Sequence, residues 1–258
     1  MLDSSPQVNA LLLAAGYGTR LKKIGEKIPK GLFKNASHLS ITDMMLAQLE
    51  KQPEIKQIAL VSNQRFFDQY QQFLQQNYPE LNIKILNDGS TKPENRLGSL
   101  GDLIFSLDKL NWWQNDLLVL PSDRNPNQII PSLIKLRQQY GPELFYTTVV
   151  KLPRQTIANR SGCAQLNKQN QIIAFEEKPA QPQFNWAALP FYLFTPRALK
   201  LLKKYQQTGH SLDSPGNIIP WLLENKLPIQ AYPSHQGFID IGNLEQLQAF
   251  QQMKQSFN

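Results

Sequence analysis

Residues 11–30 read LLLAAGYGTRLKKIGEKIPK. An apolar run stops at Gly16 and Gly18, Thr19 and Arg20 follow at once, and Pro29 and Lys30 come a little later. Val8–Ala14 is almost unbroken in its hydrophobicity, the pattern of a strand buried on both faces. Glycines directly after such a strand let the backbone pass close to a polyphosphate, with amide N–H groups turned inward as an anion nest. Arg20 adds a planar fork of donors suited to phosphate oxygens. Lys30 adds a compact charge for a second phosphate, its approach stiffened by Pro29. Two better-known phosphate loops are excluded: there is no Gly-Lys-Ser/Thr ending, and Leu21 stands where a dinucleotide fingerprint needs its third glycine. Taken alone, the Gly-x-Gly is equally an ordinary tight turn.

Outward from this stretch, strand and helix alternate. Ser40–Lys51 reads as a helix with Ile41, Met44, Met45, Ala47 and Leu49 on one face, capped by Ser40 or Thr42. Ile55–Val61 is the next strand, Arg65–Asn77 a helix, Ile83–Leu86 a strand, Gly98–Leu110 a helix and Asp116–Leu120 a buried strand. That order argues for βαβ units around a parallel sheet. Beyond residue 144 the pattern loosens. Leu144–Lys151, Cys163–Leu166, Ile172–Phe175 and Ala187–Phe194 read as strands, with a turn at Asn167–Gln171. Helices are expected from Pro196 or Arg197, over Asn217–Asn225 and over Leu244–Met253. The expectation is one α/β domain over residues 1–258: a Rossmann-like nucleotide-binding half to about 125, and a mixed half beyond it that adds strands and a lid.

The 258 residues suffice for a substantial core. With 41 % hydrophobic and 18 % charged residues, the composition is that of an ordinary soluble globule. The net charge of +7 fits a polyanionic ligand, but the basic residues are scattered rather than grouped. Charge therefore gives no case for nucleic-acid binding, and most of the lysines read as solvated surface. Cys163, the single cysteine, excludes an internal disulfide and a multi-cysteine metal site. MLDSSPQVN lacks the features of a signal peptide, and no apolar run approaches the ~20 residues of a membrane helix. A cytoplasmic protein without membrane partners is expected.

Four motifs together resemble the signature of the sugar-1-phosphate nucleotidyltransferases. "LAAGYGTRL" followed by "PK" is similar to the family's opening loop. "LVLPSDRNP" looks like its metal-binding strand end, "AFEEKP" its sugar-binding element, and "GFIDIGNLEQL" its late metal element. The resemblance implies a three-layer α/β sandwich around a mostly parallel mixed sheet, the GT-A-like fold of nucleotide-diphospho-sugar transferases. It implies Mg²⁺-dependent transfer of a nucleotidyl group from a nucleoside triphosphate to a sugar 1-phosphate. By the same resemblance, Leu13, Ala15, Gly16, Gly18, Thr19, Arg20, Asn87 and Gly98 hold the nucleotide, and Arg20, Lys30 and Asp123 form the catalytic set. Gly162, Glu177 and Lys178 hold the sugar phosphate, while Asp123 and Asp240 hold the metal. Three positions depart from the pattern: Ser122 stands before the metal aspartate and Pro190 in the strand near the sugar, each where glycine is usual, and Asn87 where glutamine is commoner.

The chemistry is coherent without the resemblance. A sugar phosphate is largely dianionic near neutral pH, its second pKa being about 6. It can attack directly, so the transfer needs positioning and charge neutralisation more than a catalytic histidine. Mg²⁺ takes one or two carboxylates and fills its sphere with phosphate and water. Single residues read otherwise. Asp123 alone is equally a turn residue, Glu177-Lys178 a surface pair, and Asp102 an acid serving its helix dipole. Asp240, flanked by Ile239 and Ile241, would need a partner for a half-buried charge. Open alternatives are nucleotidyl transfer to a non-sugar phosphate such as phosphocholine, and a non-catalytic nucleotide-sugar sensor. A glycosyltransferase expects Asp-x-Asp, against Asp123-Arg124-Asn125 here.

Overall fold

The computed structural model describes residues 6–235 and 239–254. The start of MLDSSPQVN and the Gly237-Phe238 that open the last motif lie outside the described residues. Helices and strands alternate as β1 (Val8–Leu13), the short α1 (Lys22–Gly25), α2 (Ile41–Glu50), β2 (Ile55–Ser62), α3 (Phe67–Asn77), β3 (Ile83–Asn87), α4 (Ser99–Leu110) and β4 (Asp116–Pro121). Then come α5 (Ile129–Tyr140), β5 (Phe145–Lys151), α6 (Arg154–Ile157), β6 (Cys163–Leu166), β7 (Ile172–Glu176), β8 (Trp186–Phe194), α7 (Pro196–Gln207), α8 (Ile218–Glu224), β9 (Ile229–Ser234) and α9 (Leu244–Gln252).

Among the described residues the strands form one sheet in the order β3-β2-β1-β4-β8-β5-β9, with β6 and β7 attached to the side of β8. The first four are parallel, as the alternation of helix and strand requires. β8 runs antiparallel to both its neighbours and β9 is again parallel to β5, which makes the sheet mixed. The period-two rule divides the core. Ala10, Leu12, Leu60, Leu118 and Leu120 pack on one face with α2, α3, α5 and α9. Leu11, Ala59, Val61, Leu117 and Val119 pack on the other with α4, α7 and α8. The result is a three-layer sandwich with its central strands buried on both faces.

The sequence reading did not reach α5 or β9. Each carries a proline that masks its pattern. Pro131 sits in the first turn of α5, where the amide has no intrahelical partner to lose. Pro233 lies in β9, the last strand of the sheet, where a missing donor can face outward. Pro190 marks a register shift: Thr147 pairs with Tyr192 but Thr148 with Leu189, leaving Pro190 and Phe191 as the bulge in β8.

One lock joins the two halves. The first amides of α4 are bonded by a distant loop, Ser99 N–H to the Asp213 carbonyl (3.1 Å) and Leu100 N–H to the Leu212 carbonyl (2.9 Å). These are amides that no helix satisfies by itself. Gly98, at φ +81°, makes the approach possible, since a Cβ there would lie 2.7 Å from the Leu212 carbonyl and the Asp213 Cα. Gly98→Ala is therefore expected to lower stability by about 1–3 kcal/mol through strain and loss of these bonds. Urea unfolding checks this, and a stability equal to wild type would show that the loop is not a lock.

Candidate active site

A cleft of about 850 Å³ opens along the carboxyl edge of the parallel strands. β1 delivers its floor. After Leu13 the chain is held by the Ala14 amide on the Val61 carbonyl (2.8 Å) and by the Asn63 side-chain amide on the Ala15 carbonyl (2.9 Å). Gly16 lies exposed in the cleft, and a Cβ built on it would meet nothing within 4 Å. Gly18 turns the chain at φ +63° and packs against Gly25, so its freedom serves the turn. From there Arg20 reaches the cleft wall. Lys30 arrives on a tight turn whose next residue, Gly31, leaves no room for a Cβ, because the Tyr70 hydroxyl would be 2.6 Å away. Thr42 Oγ1 donates to the Gly31 carbonyl and fixes that turn (2.9 Å).

Asp123 and Asp240, so distant in the chain, are neighbours. The Ile241 amide donates to the Asp123 carbonyl (2.8 Å) and the Asn125 amide to the Ile239 carbonyl (3.2 Å), clasping the two segments together. Lys30 Nζ meets Asp123 Oδ2 at 2.9 Å, and Arg124 meets Asp240 Oδ2 at 2.7 Å. Burial alone would push the Asp123 carboxyl up, but Lys30 and Arg124 outweigh it and hold the group below the usual carboxylate value. Asp240 goes the other way. Burial raises it, Arg124 opposes, and the neighbouring charge of Asp123 adds to the rise. The partner that Asp240 needed is thus Arg124. The sequence shows Arg124 only as the residue between Asp123 and Asn125, and gives no sign of its pairing.

In the same cleft Glu177 is wedged between two glycines. A Cβ on Gly162 would come within 2.8 Å of its Oε2, and one on Gly216 within 2.0 Å. Ser214 Oγ donates to Glu177 Oε1 at 2.6 Å, and Lys178 Nζ lies 3.1 Å from that hydroxyl and 3.6 Å from Glu177 Oε1. This is a built constellation rather than a surface pair. Ser214 and Gly216 carry no motif around them, and only the fold brings them here.

Leu13–Gly16, Ser99 and Asp102 line the cleft as well. Four expected nucleotide residues do not line the cleft: Gly18, Thr19, Asn87 and Gly98. Asn87 spends its side chain locally, donating to Gln64 Oε1 (2.8 Å) and accepting from the Gly89 amide (2.9 Å). Gly98 serves the lock on α4. Asp102, read from the sequence as an acid serving its helix dipole, is 7 % exposed and lies beside a second acid, Asp88. Burial, reinforced by the Asp88 charge and by a hydrogen bond between the two carboxyls, pushes Asp102 up to about 8.

A small hard cation fits the middle of the cleft. Two carboxylates stand side by side on clasped backbone, facing a space lined by Arg20 and Lys30, and oxygen donors from two acids suffice for Mg²⁺ when phosphates supply the rest. No group of three or more His, Cys, Asp or Glu that could hold a metal occurs among the described residues. Nor is any helix among them long and apolar enough to cross a membrane.

A family model described as "Nucleotidyl transferase" matches residues 9–256. A glucose-1-phosphate adenylyltransferase of Desulfitobacterium hafniense strain Y51 is 25 % identical over 252 residues, 92 % of this chain and 61 % of the relative. One from Clostridioides difficile strain 630 is 27 % identical over 134 residues, 51 % of this chain and 34 % of the relative. The chain thus spans about three-fifths, or less, of the curated relatives it matches. A solved structure from Bacillus anthracis, described as a glucose-1-phosphate thymidylyltransferase in complex with a sucrose, superposes with a TM-score of 0.77 at 18 % identity. The match covers 95 % of this chain and 94 % of that one, a likeness of fold.

The raised pKa of Asp102 has a consequence for stability. Between the ordinary carboxylate value of 3.8 and about 8, the unfolded chain releases this proton while the folded chain keeps it. Stability from this group therefore falls as pH rises through that window and changes no further above it. Asp102→Asn cannot lose a proton, so its melting temperature relative to wild type should climb from pH 5 to pH 8 and then level. Paired thermal melts across pH test this, and a constant difference would mean that Asp102 is already ionised at pH 5.

Proposed function

The chain belongs to the nucleotidyl transferase family, and on that premise we propose that it transfers a nucleotidyl group from a nucleoside triphosphate to a sugar 1-phosphate. The observation that carries the reading is the pair of clasped acids, Asp123 and Asp240, with Lys30 and Arg124 upon them. They line the same cleft as Gly16 and Arg20 of the glycine loop and the Glu177–Lys178 constellation. A phosphate oxygen of the sugar phosphate attacks the α-phosphorus. A new P–O bond forms, the bond to the bridging oxygen of the β-phosphate breaks, and pyrophosphate departs with that electron pair. No proton transfer to the protein is required, because the attacking phosphate is already anionic.

Each group then has one task. Glu177, fixed by two glycines and the Ser214 hydroxyl, accepts from sugar hydroxyls without needing to reorganise. Lys178 meets the sugar phosphate, with its ammonium now resting on Ser214. Gly16 leaves the backbone open to the triphosphate, and Arg20 and Lys30 draw its charge toward the cleft floor. Mg²⁺ bound by Asp123 and Asp240 would screen the repulsion between the two anionic substrates and take charge from the leaving pyrophosphate. The single sheet running through both halves supports a single domain, and the lone buried cysteine supports a cytoplasmic setting.

Incubation with Mg²⁺, glucose 1-phosphate and a panel of triphosphates should release pyrophosphate in step with a nucleotide sugar. Failure with every triphosphate and every sugar phosphate in such a panel would remove the transferase reading. Lys178→Ala should raise the KM for sugar phosphate at least ~10-fold while leaving that for triphosphate within about 2-fold, the signature of binding lost on one side. Equal effects on both substrates would place Lys178 elsewhere.

A further inference from the structure

We infer that Asp102, backed by Asp88, reads the nucleobase and selects one that carries an exocyclic amino group. The inference rests on the transferase reading for its assumption that a triphosphate occupies this cleft. The position follows from the other tasks. Glu177 and Lys178 are committed to the sugar phosphate and the cations to the phosphates, so a nucleoside is left the lining supplied by Leu13–Gly16, Ser99 and Asp102. Asp102 comes to it from the first turn of α4.

The carboxyl there has no protein purpose of its own. An acid helps a helix start from an exposed position as well as from a buried one, yet Asp102 is 7 % exposed and its Oδ1 has no hydrogen-bond partner. Its neighbour is a second carboxyl, which costs further unless one proton is shared between them. The donors nearby are already engaged. Asp88 accepts from the Ser90 amide (2.7 Å) and the Ser90 hydroxyl (2.8 Å to Oδ1, 2.9 Å to Oδ2), and the Tyr17 hydroxyl donates to Ser90 Oγ (3.1 Å). The Arg65 guanidinium lies 5.2 Å above the Tyr17 ring.

Two carboxyls sharing one proton offer only acceptors to anything that arrives from the cleft. Adenine, cytosine and guanine each bring an amino group to such a surface. Uracil and thymine bring a carbonyl oxygen to the corresponding position and only a single ring N3–H beside it, so one contact can donate while the next sets two acceptors against each other. A buried polar group left without its donor is also the feature by which sites reject a near-isostere most strongly.

The test is a competition among ATP, CTP, GTP, UTP and dTTP with glucose 1-phosphate and Mg²⁺, the nucleotide sugars being separated by chromatography. The wild-type protein should favour an amino-bearing triphosphate over UTP and dTTP by at least ~10-fold in kcat/KM. Asp102→Asn keeps the shape but presents an amide that donates, so the ratio should move toward UTP and dTTP by ~10–100-fold. Asp102→Ala should lose discrimination without that reversal. Wild-type preference for UTP or dTTP, or the same ranking in wild type and Asp102→Asn, overturns the inference. Calorimetric binding of α,β-methylene analogues of the same five triphosphates separates this from the function itself. Ranked binding without transfer would sink the transferase reading and keep the base reader, whereas transfer without an amino preference would sink the base reader alone. Binding of none of them overturns both. Melting curves and far-UV circular dichroism confirm that each variant is folded.

Discussion

Two backbone hydrogen bonds, between residues 123–125 and 239–241, hold the centre of the cleft together. They seat Asp240 beside Asp123, at the end of a strand buried on both faces, and so put two like charges close together at partial burial. That arrangement persists only with compensation. Lys30 and Arg124 provide it directly, and Arg20 adds to the field at Asp240. Three cations against two carboxylates leave the cleft floor positive, which suits a triphosphate. Lys30 and Arg124 are anchored beside the site before any phosphate arrives.

Two parts of the cleft lining are joined by one short loop. Leu212 and Asp213 bond the first amides of α4, whose first turn also carries Asp102. The following residues, Ser214 and Gly216, hold Glu177 from two sides. A shift of α4 would therefore displace the support of Glu177. Both attachments depend on a missing Cβ, at Gly98 and at Gly216, and the close packing they allow leaves little slack between them.

The fold was largely legible because its strongest signals are local. β1, β2 and β4 announce themselves as apolar runs, and α2 and α4 by their periodicity and starts. The alternation then dictates the parallel half. α5 and β9 escaped notice because Pro131 and Pro233 break their patterns at positions where, in three dimensions, a proline costs little. Cleft-lining residues were legible where several chemical residues lie within one short stretch, as with Gly16 and Arg20 or Glu177-Lys178. It was illegible where distant chain segments meet: Ser214 and Gly216 around Glu177, Arg124 on Asp240, and Asp88 against Asp102. Asp102 illustrates the limit well. An acid in a helix's first turn has an ample local explanation, and only burial beside a second acid removes it. Asn87 and Gly98 lie outside the cleft lining, and each has a structural task that the sequence does not reveal.

We propose that Asp123 and Asp240, clasped by their backbones, act as one cation site, for which Arg124 yields its hold on Asp240. Anomalous scattering from Mn²⁺, in crystals grown with a non-transferable triphosphate analogue, addresses it directly. A single manganese peak in contact with both carboxylates, with Arg124 moved onto phosphate oxygens, is the predicted result. A metal that touches neither acid, or Asp123 alone while the Arg124–Asp240 pair stays closed, would contradict it.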